Sequence, residues 1–480
     1  MEEKRAPHVL IFPFPAQGHI HQMLTLAELL CLSSIQVTFL NTHHNHHRLL
    51  QFTNIQSRFA RFPGLFRLES ISDGAPDDHP RPSGFLPDLT AMMHLDSIIS
   101  PHLRNLILST RHDSGGFTCI ICDGIMTFAI DVAKELGIQS IAFRTISASC
   151  FFAYLSYPHL QDGEDLDEKA LTVPGMEKEK FFFRRRDLPG FSRQFRESPL
   201  MSDSVLEFCI KETFNSARAS ALILNTTEDL ESPFLSQIRT KFHKVYAIGP
   251  LHSLAKNLRS PKIPQSHNSS SSPNNGLWEE DRSCLAWLES QPPKSVVYVS
   301  FGSIAVLTKS QLLEFWHGLV NSGYRFLWVR RPGSISGGDE AYSDDDWNIP
   351  AERGCVVKWA PQEEVLGHRA VGAFVTHSGW NSTLESMAAA VPMICWPKAA
   401  DQPVISRVVG ELWRVGVDMK DVCDRSTVEE TVRYVMGGGG GEMGRSTAEI
   451  AEVVRRSVSE GGSSYCDFQA LVKELKSGCR

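Results

Sequence analysis

Between Trp359 and Gln402 lie a set of polar and aromatic side chains whose types and spacing suit a nucleotide diphosphate carrying a sugar. Val371–Thr376 (VGAFVT) is apolar and β-branched and predicts a strand. His377-Ser-Gly-Trp380 predicts a turn, with Asn381 and Ser382 at the expected cap of a helix running through Thr383–Ala390 and ended by Pro392. Strand, turn and helix in that order gather backbone N–H groups and the positive helix end at one point, which attracts phosphate. His377, Asn381 and Ser382 add side-chain donors there, and Gly379 allows close backbone approach. Glu385, one turn on, can accept from two ribose hydroxyls. Trp359 offers a flat face to a uracil ring, where stacking contributes about 1–3 kcal/mol. Asp401 and Gln402 follow a strand ending near Trp396, and a carboxylate beside an amide suits hexose hydroxyls. Singly, Trp359 and Trp380 could be core aromatics and Glu385 a solvated helix residue. Together they have no packing rationale.

A second constellation lies in the first half. Pro15-Ala-Gln-Gly-His19 follows an apolar run and opens the helical pattern Ile20–Leu30. A His at a helix N-terminus is favoured as the uncharged ring, able to take a proton. Asp123, directly after the strand-like Cys119–Cys122, can orient that ring and steady the charge it gains. His21 would point elsewhere from its place within the helix. The His43–His47 cluster lacks a matching carboxylate or Cys and reads as a solvated loop. Asp165/Asp167 and Asp344–Asp346 lie in acidic, loop-like sequence and read as surface charge. Cys119 and Cys122 read as buried thiols in a strand, not a redox pair. Gly439, Gly441 and Gly444 satisfy GxGxxG, but no strand precedes them, so a flexible loop is expected.

The elements that must position these groups alternate strand and helix. His8–Phe12, Gln36–Leu40, Cys119–Cys122, Ser140–Phe143, Ala221–Leu224 and Val245–Ile248 read as strands. The rhythm restarts with Val296–Phe301, Arg325–Val329, Cys355–Lys358, Val371–Thr376 and Met393–Trp396. This pattern predicts parallel α/β sheets. The expected organisation is an N-terminal domain over 1–250, a Ser-, Asn- and Pro-rich flexible linker over 251–281, and a C-terminal domain over 282–446. The helical pattern of 447–480 is expected to pack back on the first domain.

The 44 residues from Trp359 to Gln402 resemble the C-terminal signature of plant family 1 UDP-sugar glycosyltransferases. PAQGHI around His19 and the CDG turn at Asp123 resemble the same family. The resemblance implies an α/β fold of the GT-B type, two Rossmann-like doubly wound domains facing across a cleft. It implies that Trp359 and Gln362 serve uracil, Glu385 the ribose, and His377, Asn381 and Ser382 the diphosphate, with Ala360 and Gly379 also in the donor site. Trp380, Asp401 and Gln402 would meet the sugar, as would Thr145 in FRTISA. Ser303 in VSFGS would help stabilise the departing diphosphate. His19 and Asp123 would deprotonate an acceptor hydroxyl that attacks the anomeric carbon opposite UDP, giving a β-glycoside without a metal. Gln402 leans the donor towards UDP-glucose.

The chain departs from the family at Ser378 (usually Cys), at Lys398-Ala399 (often aromatic), at Ile405 (often Asn) and at Gln22 (usually Pro). NTHHNHHRLL, ISDGAPDDHPR and FRTISAS resemble the branch containing iridoid glucosyltransferases of the 7-deoxyloganetic acid type. An acceptor, a small lipophilic metabolite, is expected in an apolar N-terminal pocket fed by loops such as Phe62–Pro80 and Phe181–Phe195. Arg184-Arg-Arg186 reads as a solvated basic run rather than a partner for an acidic acceptor.

Composition sets the outer bounds. A chain of 480 residues suggests two or three domains, and 42% apolar with 21% charged residues is an ordinary globular balance. A net charge of −7 argues against nucleic-acid or anionic-membrane binding. No apolar run is long enough to span a membrane, and the N-terminus reads as a first strand, not a signal peptide. Eleven scattered cysteines fit a reduced, cytoplasmic protein, expected as a monomer with no cofactor beyond its donor substrate. Two alternatives remain: a non-catalytic sugar-nucleotide-binding protein, and a nicotinamide-dependent oxidoreductase, which would need a strand-following GxGxxG that is missing.

Overall fold

Runs such as Val9–Ile11, Phe39–Leu40 and Ile120–Cys122 are apolar without alternation, the pattern of strands covered on both faces. In the computed structural model each belongs to a buried parallel strand. The structure describes residues 7–76, 95–160, 165, 167–191, 202–259, 276–336 and 353–478. The chain divides into two units. One comprises Met1–His159, Asp203–Trp278 and Arg455–Arg480; the other comprises Leu160–Ser202 and Glu279–Val454.

The first unit holds strands β1 (His8–Phe12), β2 (Gln36–Thr42), β3 (Phe66–Ile71), β4 (Cys119–Asp123) and β5 (Gln139–Arg144). A small antiparallel hairpin, β6 (Lys169–Thr172) and β7 (Phe182–Arg184), belongs to the second unit. The first unit continues with β8 (Ala221–Leu224) and β9 (Val245–Ala247), giving a parallel sheet in the order β3-β2-β1-β4-β5-β8-β9. The second unit holds β10 (Val296–Ser300), β11 (Arg325–Val329), β12 (Gly354–Val357), β13 (Val371–Thr376), β14 (Met393–Cys395) and β15 (Gly416–Asp418). Their parallel order is β12-β11-β10-β13-β14-β15. Both units are thus parallel-sheet α/β domains, as the strand and helix rhythm predicts. In both sheets chain order reverses at the centre, between β1 and β4 and between β10 and β13, where open α/β sheets bind ligands.

Four strands were not expected. β3 (FRLESI) carries two charges at a sheet edge, β6 and β7 form a short hairpin, and β15 has three residues. The expected linker also differs. Leu251–Arg259 is a helix, because Leu251, Leu254 and Ala255 recur on one face and enter the first core. Leu277 and Trp278 still belong to the first unit: the Leu277 N–H reaches Gln17 Oε1 at 2.6 Å, and Arg48 lies 4.5 Å from the Trp278 ring. Residues 260–275 and Asp344–Asp346 lie outside the described residues. The 447–480 boundary moves too, since the first unit takes up the chain at Arg455, inside helix Glu442–Val458. Helix Ser463–Ser477 docks on β9 through Asp467 Oδ2, which accepts from the Ala247 N–H at 2.8 Å. The histidine cluster starts a helix, His43–Phe52, instead of a loop. Thr42 caps it, and the His43 ring bonds Ser70 Oγ at 2.9 Å. The glycine run holds a one-turn 3₁₀ segment, Gly439–Gly441.

Helix Gln17–Leu32 carries Glu28 into the first core at 0% exposure. Arg58 Nε lies 2.8 Å from its carboxylate and Arg259 Nε 2.7 Å, with Arg61 a third partner. Burial would raise this carboxyl, but Arg58 and Arg259 outweigh it and hold the pKa down at about 2. Arg58 is itself pushed down to about 10 by burial, so the net gain is smaller than Glu28's shift alone implies. A carboxylate with a depressed folded pKa contributes stability above its unfolded value near 4.5, and loses it as pH falls towards 2. Glu28→Gln should therefore cost about 3–5 kcal/mol at neutral pH, read by urea unfolding. The gap to wild type should close between pH 5 and pH 2, and a gap constant across that range would contradict this role for Glu28.

Candidate active site

β1 ends at Phe12 and helix Gln17–Leu32 begins after a short turn. Buried Asn45 holds that turn, its Nδ2 donating to the Pro15 carbonyl at 3.0 Å. This places His19 in the first helical turn, its Nδ1 2.6 Å from Asp123 Oδ2. Asp123 is the last residue of β4 and fully buried. Its carboxylate also accepts from the Phe14 N–H (3.2 Å) and the Ile125 N–H (3.2 Å), which fixes its plane. With Nδ1–H facing Asp123, Nε2 is the ring nitrogen able to accept a proton, a tautomer assigned from the partners. The His19 side chain is 24% exposed, against 0% for Asp123, so only the imidazole of this pair can meet a substrate. Thr145, which the resemblance assigns to the sugar, lies against this ring, its Oγ1 2.9 Å from Nδ1.

In the second unit Ser378 takes a left-handed conformation (φ 65°) after β13. The chain turns early, so Gly379 is the N-cap and the helix begins at Trp380. Asn381 and Ser382 therefore sit inside the first turn and do not cap it, a correction to the sequence reading. Their positions remain at the positive helix end. The His377 ring is wedged between two glycines. A Cβ at Gly302 would lie 2.5 Å from its Nε2, and one at Gly379 2.4 Å, so both positions require glycine. Burial pushes His377 down to about 4, against a hydrogen bond with the Ser300 backbone. At neutral pH it is therefore uncharged and carries a single N–H, for which the Ser300 carbonyl and a phosphate compete. Ser303 follows Gly302 in the turn after β10.

Gln362 joins the remaining donors. Its Nε2 donates to Glu385 Oε2 at 2.7 Å and to Ser382 Oγ at 2.9 Å. Its Oε1 accepts from the Tyr298 hydroxyl at 3.2 Å. Tyr298, on β10 and stacked on Phe374 at 4.9 Å, was missed in the sequence. The only signal was a hydroxyl-bearing ring in the valine-rich run VVYVS. Glu385 is 7% exposed. Burial raises its pKa, the Glu363 charge adds to this, and the Gln362 amide opposes it.

Trp359 follows β12, half-buried, its carbonyl accepting from the Asp281 N–H at 2.9 Å, and Ala360 beside it is buried. Trp380 is 3% exposed with its ring 6.2 Å from Trp413, so it packs as a core aromatic and leaves its backbone, not its ring, at the helix end. Asp401 and Gln402 belong to a separate element, where Asp401 precedes helix Gln402–Arg407. Gln402 Oε1 accepts from the N–H groups of Lys398 (2.7 Å) and Ala399 (2.9 Å), which leaves its amide nitrogen as the donor end. Ile405 is fully buried, so a hydrophobic core contact stands where relatives often have Asn. Arg184-Arg-Arg186 is not a solvated run: Arg184 binds Asp187 at 2.9 Å and Arg186 pairs with Asp167 at 2.7 Å.

The sequence matches two family models, one described as UDP-glucoronosyl and UDP-glucosyl transferase over residues 274–438, the other as a glycosyltransferase N-terminal domain over residues 7–253. It is 48% identical to 7-deoxyloganetic acid glucosyltransferase of Catharanthus roseus, across 99% of this chain and 98% of that protein. It is 43% identical to myricetin 3-O-rhamnoside 1,2-glucosyltransferase of Crocosmia x crocosmiiflora, across 99% and 97%. Among solved structures it is similar to Os79 from O. sativa in complex with UDP, with a TM-score of 0.81, 28% identity, and coverage of 97% of this chain and 100% of that one.

Glu385 provides a test of the second constellation. Its raised pKa means that the acceptor form, the carboxylate, is gained as pH rises. UDP-glucose affinity measured by calorimetry should therefore increase from pH 6 to pH 8.5, and Glu385→Gln should flatten the dependence at the weak end. A wild-type affinity that does not change across this range would separate Glu385 from donor binding.

Proposed function

Because the chain belongs to the family of UDP-glucoronosyl and UDP-glucosyl transferases, we propose that it moves glucose from UDP-glucose to a hydroxyl or carboxyl of a small lipophilic plant metabolite, with inversion to a β-glucoside. The observation that carries this reading is the His19–Asp123 contact at 2.6 Å with the imidazole alone exposed. A bare sugar-nucleotide sensor has no use for an oriented base.

In this reading His19 Nε2 takes the acceptor proton while Asp123 stabilises the imidazolium that forms. Thr145 Oγ1 steadies the ring on the same edge. The acceptor oxygen forms its bond to the anomeric carbon as the bond to UDP breaks, and the electron pair leaves on the diphosphate. That growing charge meets the N-terminal end of helix Trp380–Ala388, the His377 N–H and Ser303. Trp359 and Ala360 hold uracil. Glu385, oriented by Gln362, accepts from the ribose. Asp401 and the Gln402 amide receive the hexose. Because these donors serve the diphosphate, no metal is assigned to the reaction.

The acceptor is placed among iridoid, terpenoid and phenolic compounds. Two relatives similar along their whole length are named for an iridoid acid and a flavonol glycoside. The enzyme is further placed in the cytoplasm as a monomer. In support, its ten described cysteines are free thiols, as a reducing compartment leaves them. No helix among the described residues is long and apolar enough to cross a membrane.

His19→Ala should lower kcat by about 10²–10⁴-fold while UDP affinity stays within about twofold, measured by product formation and by calorimetry. EDTA should leave the wild-type rate unchanged. Near-wild-type turnover in the variant would remove His19 as the base, and a large loss with EDTA would assign the diphosphate charge to a metal.

A further inference from the structure

Away from the two constellations, one buried carboxylate collects cations from three parts of the chain. Asp187 closes the one-turn helix Arg185–Asp187 after β7 and is fully buried. Its Oδ2 accepts from the Arg184 backbone N–H at 2.8 Å and from Arg184 Nε at 2.9 Å, and its Oδ1 from Arg184 Nη2 at 2.9 Å. Lys420 Nζ lies 3.1 Å from Oδ1 and Arg407 Nε 3.4 Å from Oδ2. Lys420 also binds Asp418 at 2.7 Å and the Pro403 carbonyl at 3.4 Å. Asp418 in turn accepts from the Ser406 hydroxyl. Arg407 reaches Glu411 at 3.1 Å and the Phe182 carbonyl at 3.4 Å.

Pro403, Ser406 and Arg407 lie on one element, helix Gln402–Arg407. This helix runs on without a break into the π-helical segment Val408–Leu412, and its start at Gln402 is tied to the rest of the unit by tertiary contacts. After Gln402 its polar ties run from Pro403 to Lys420, from Ser406 to Asp418, and from Arg407 to Asp187 and the Phe182 carbonyl, and Lys420 itself binds both Asp187 and Asp418. Burial alone would raise the Asp187 pKa, but Lys420 and Arg184 hold it below the ordinary carboxylate range. The helix starts at Gln402, whose carbonyl oxygen is already fixed by the loop at Lys398 and Ala399.

We propose that Asp187 is a positioning residue for the transferred sugar: through Lys420 and Arg407 it fixes helix Gln402–Arg407 against β15, and so sets where the Gln402 amide meets the hexose. This rests on the reading of Gln402 given above. Its consequence is that donor selectivity depends on the hairpin β6–β7 and the turn at Asp187, well outside the Trp359–Gln402 stretch. The charge at Asp187 matters as much as its shape, since an isosteric amide cannot serve three cations.

The test compares wild type with Asp187→Asn in the full chain, measuring KM for UDP-glucose and Ki for UDP, which has the nucleotide and diphosphate but no sugar. The variant should raise KM for UDP-glucose roughly tenfold and leave Ki for UDP within about twofold. An unchanged KM, or a parallel rise in Ki, would overturn the proposal, because loosening of the whole second unit moves both. Lys420→Met keeps the carboxylate and its Arg184 bonds and should show the same sugar-selective loss in smaller measure. If Asp187→Asn does not fold, an unchanged KM-to-Ki ratio in Lys420→Met overturns the proposal by itself. Gln402→Ala separates the two levels. If it raises the ratio and neither network variant does, the positioning role alone fails. If Gln402→Ala leaves the ratio unchanged, the sugar reading of Gln402 fails and the proposal with it.

Discussion

The register of two central strand pairs governs everything chemical in this protein. β1 lies against β4 with Phe12 opposite Cys122, and β10 lies against β13 with Ser300 opposite Thr376. In a parallel sheet all strands point one way, so the loops leaving neighbouring strands emerge side by side. That pairing brings a turn carrying His19 to the strand end carrying Asp123. It brings the Gly302–Ser303 turn to His377. A slip of one residue in either pair would reverse every side chain between the sheet faces and separate these groups. Val9, Ile11, Cys119 and Ile121 are close-packed in one core and Val297, Val299, Ala373 and Val375 in the other, and exchanging them for the residues of the opposite face would disrupt that packing.

Buried charge does the next tier of work. Glu28 gathers three arginines in the first unit, and Asp187 gathers two arginines and a lysine in the second. Both join segments far apart in sequence: helix Leu251–Arg259 to helix Gln17–Leu32 in one case, the β6–β7 hairpin to helix Gln402–Arg407 in the other. Ion networks of this kind add less net stability than their Coulomb attraction suggests, because each group loses its hydration. What they add is specificity of placement, since a buried carboxylate serves its partners in one arrangement only. The Gln362 amide does the same without charge, bound at one end by Tyr298 and at the other by Glu385 and Ser382.

Much of this was legible in the residues. The strand runs, the two His-bearing turns and the polar set around Glu385 follow from local pattern and turn chemistry. The missed features share a physical cause, since each is decided by tertiary contact. Tyr298 looks like any aromatic strand residue until Gln362 arrives from a distant helix. The Arg184–Arg186 run looks solvated because nothing in its neighbourhood reveals Lys420 or Arg407, which compete with it for Asp187. Thr145 carries no local sign that its hydroxyl meets the His19 ring. The cap moved from Asn381 to Gly379 because Ser378 adopts a left-handed conformation that its residue type rarely takes.

The most direct measurement incubates the purified protein with UDP-glucose and a panel of iridoid, terpenoid, flavonoid and simple phenolic acceptors. Mass spectrometry identifies any acceptor that gains one hexose, and proton NMR of that product reads the configuration at its anomeric carbon. A single added hexose in the β configuration is the expected result if His19, as proposed, activates an acceptor that attacks opposite the leaving diphosphate. An α-linked product, or UDP-glucose that binds tightly and transfers to nothing but water, would contradict the assignment of His19 and Asp123 as the base pair of an inverting transfer.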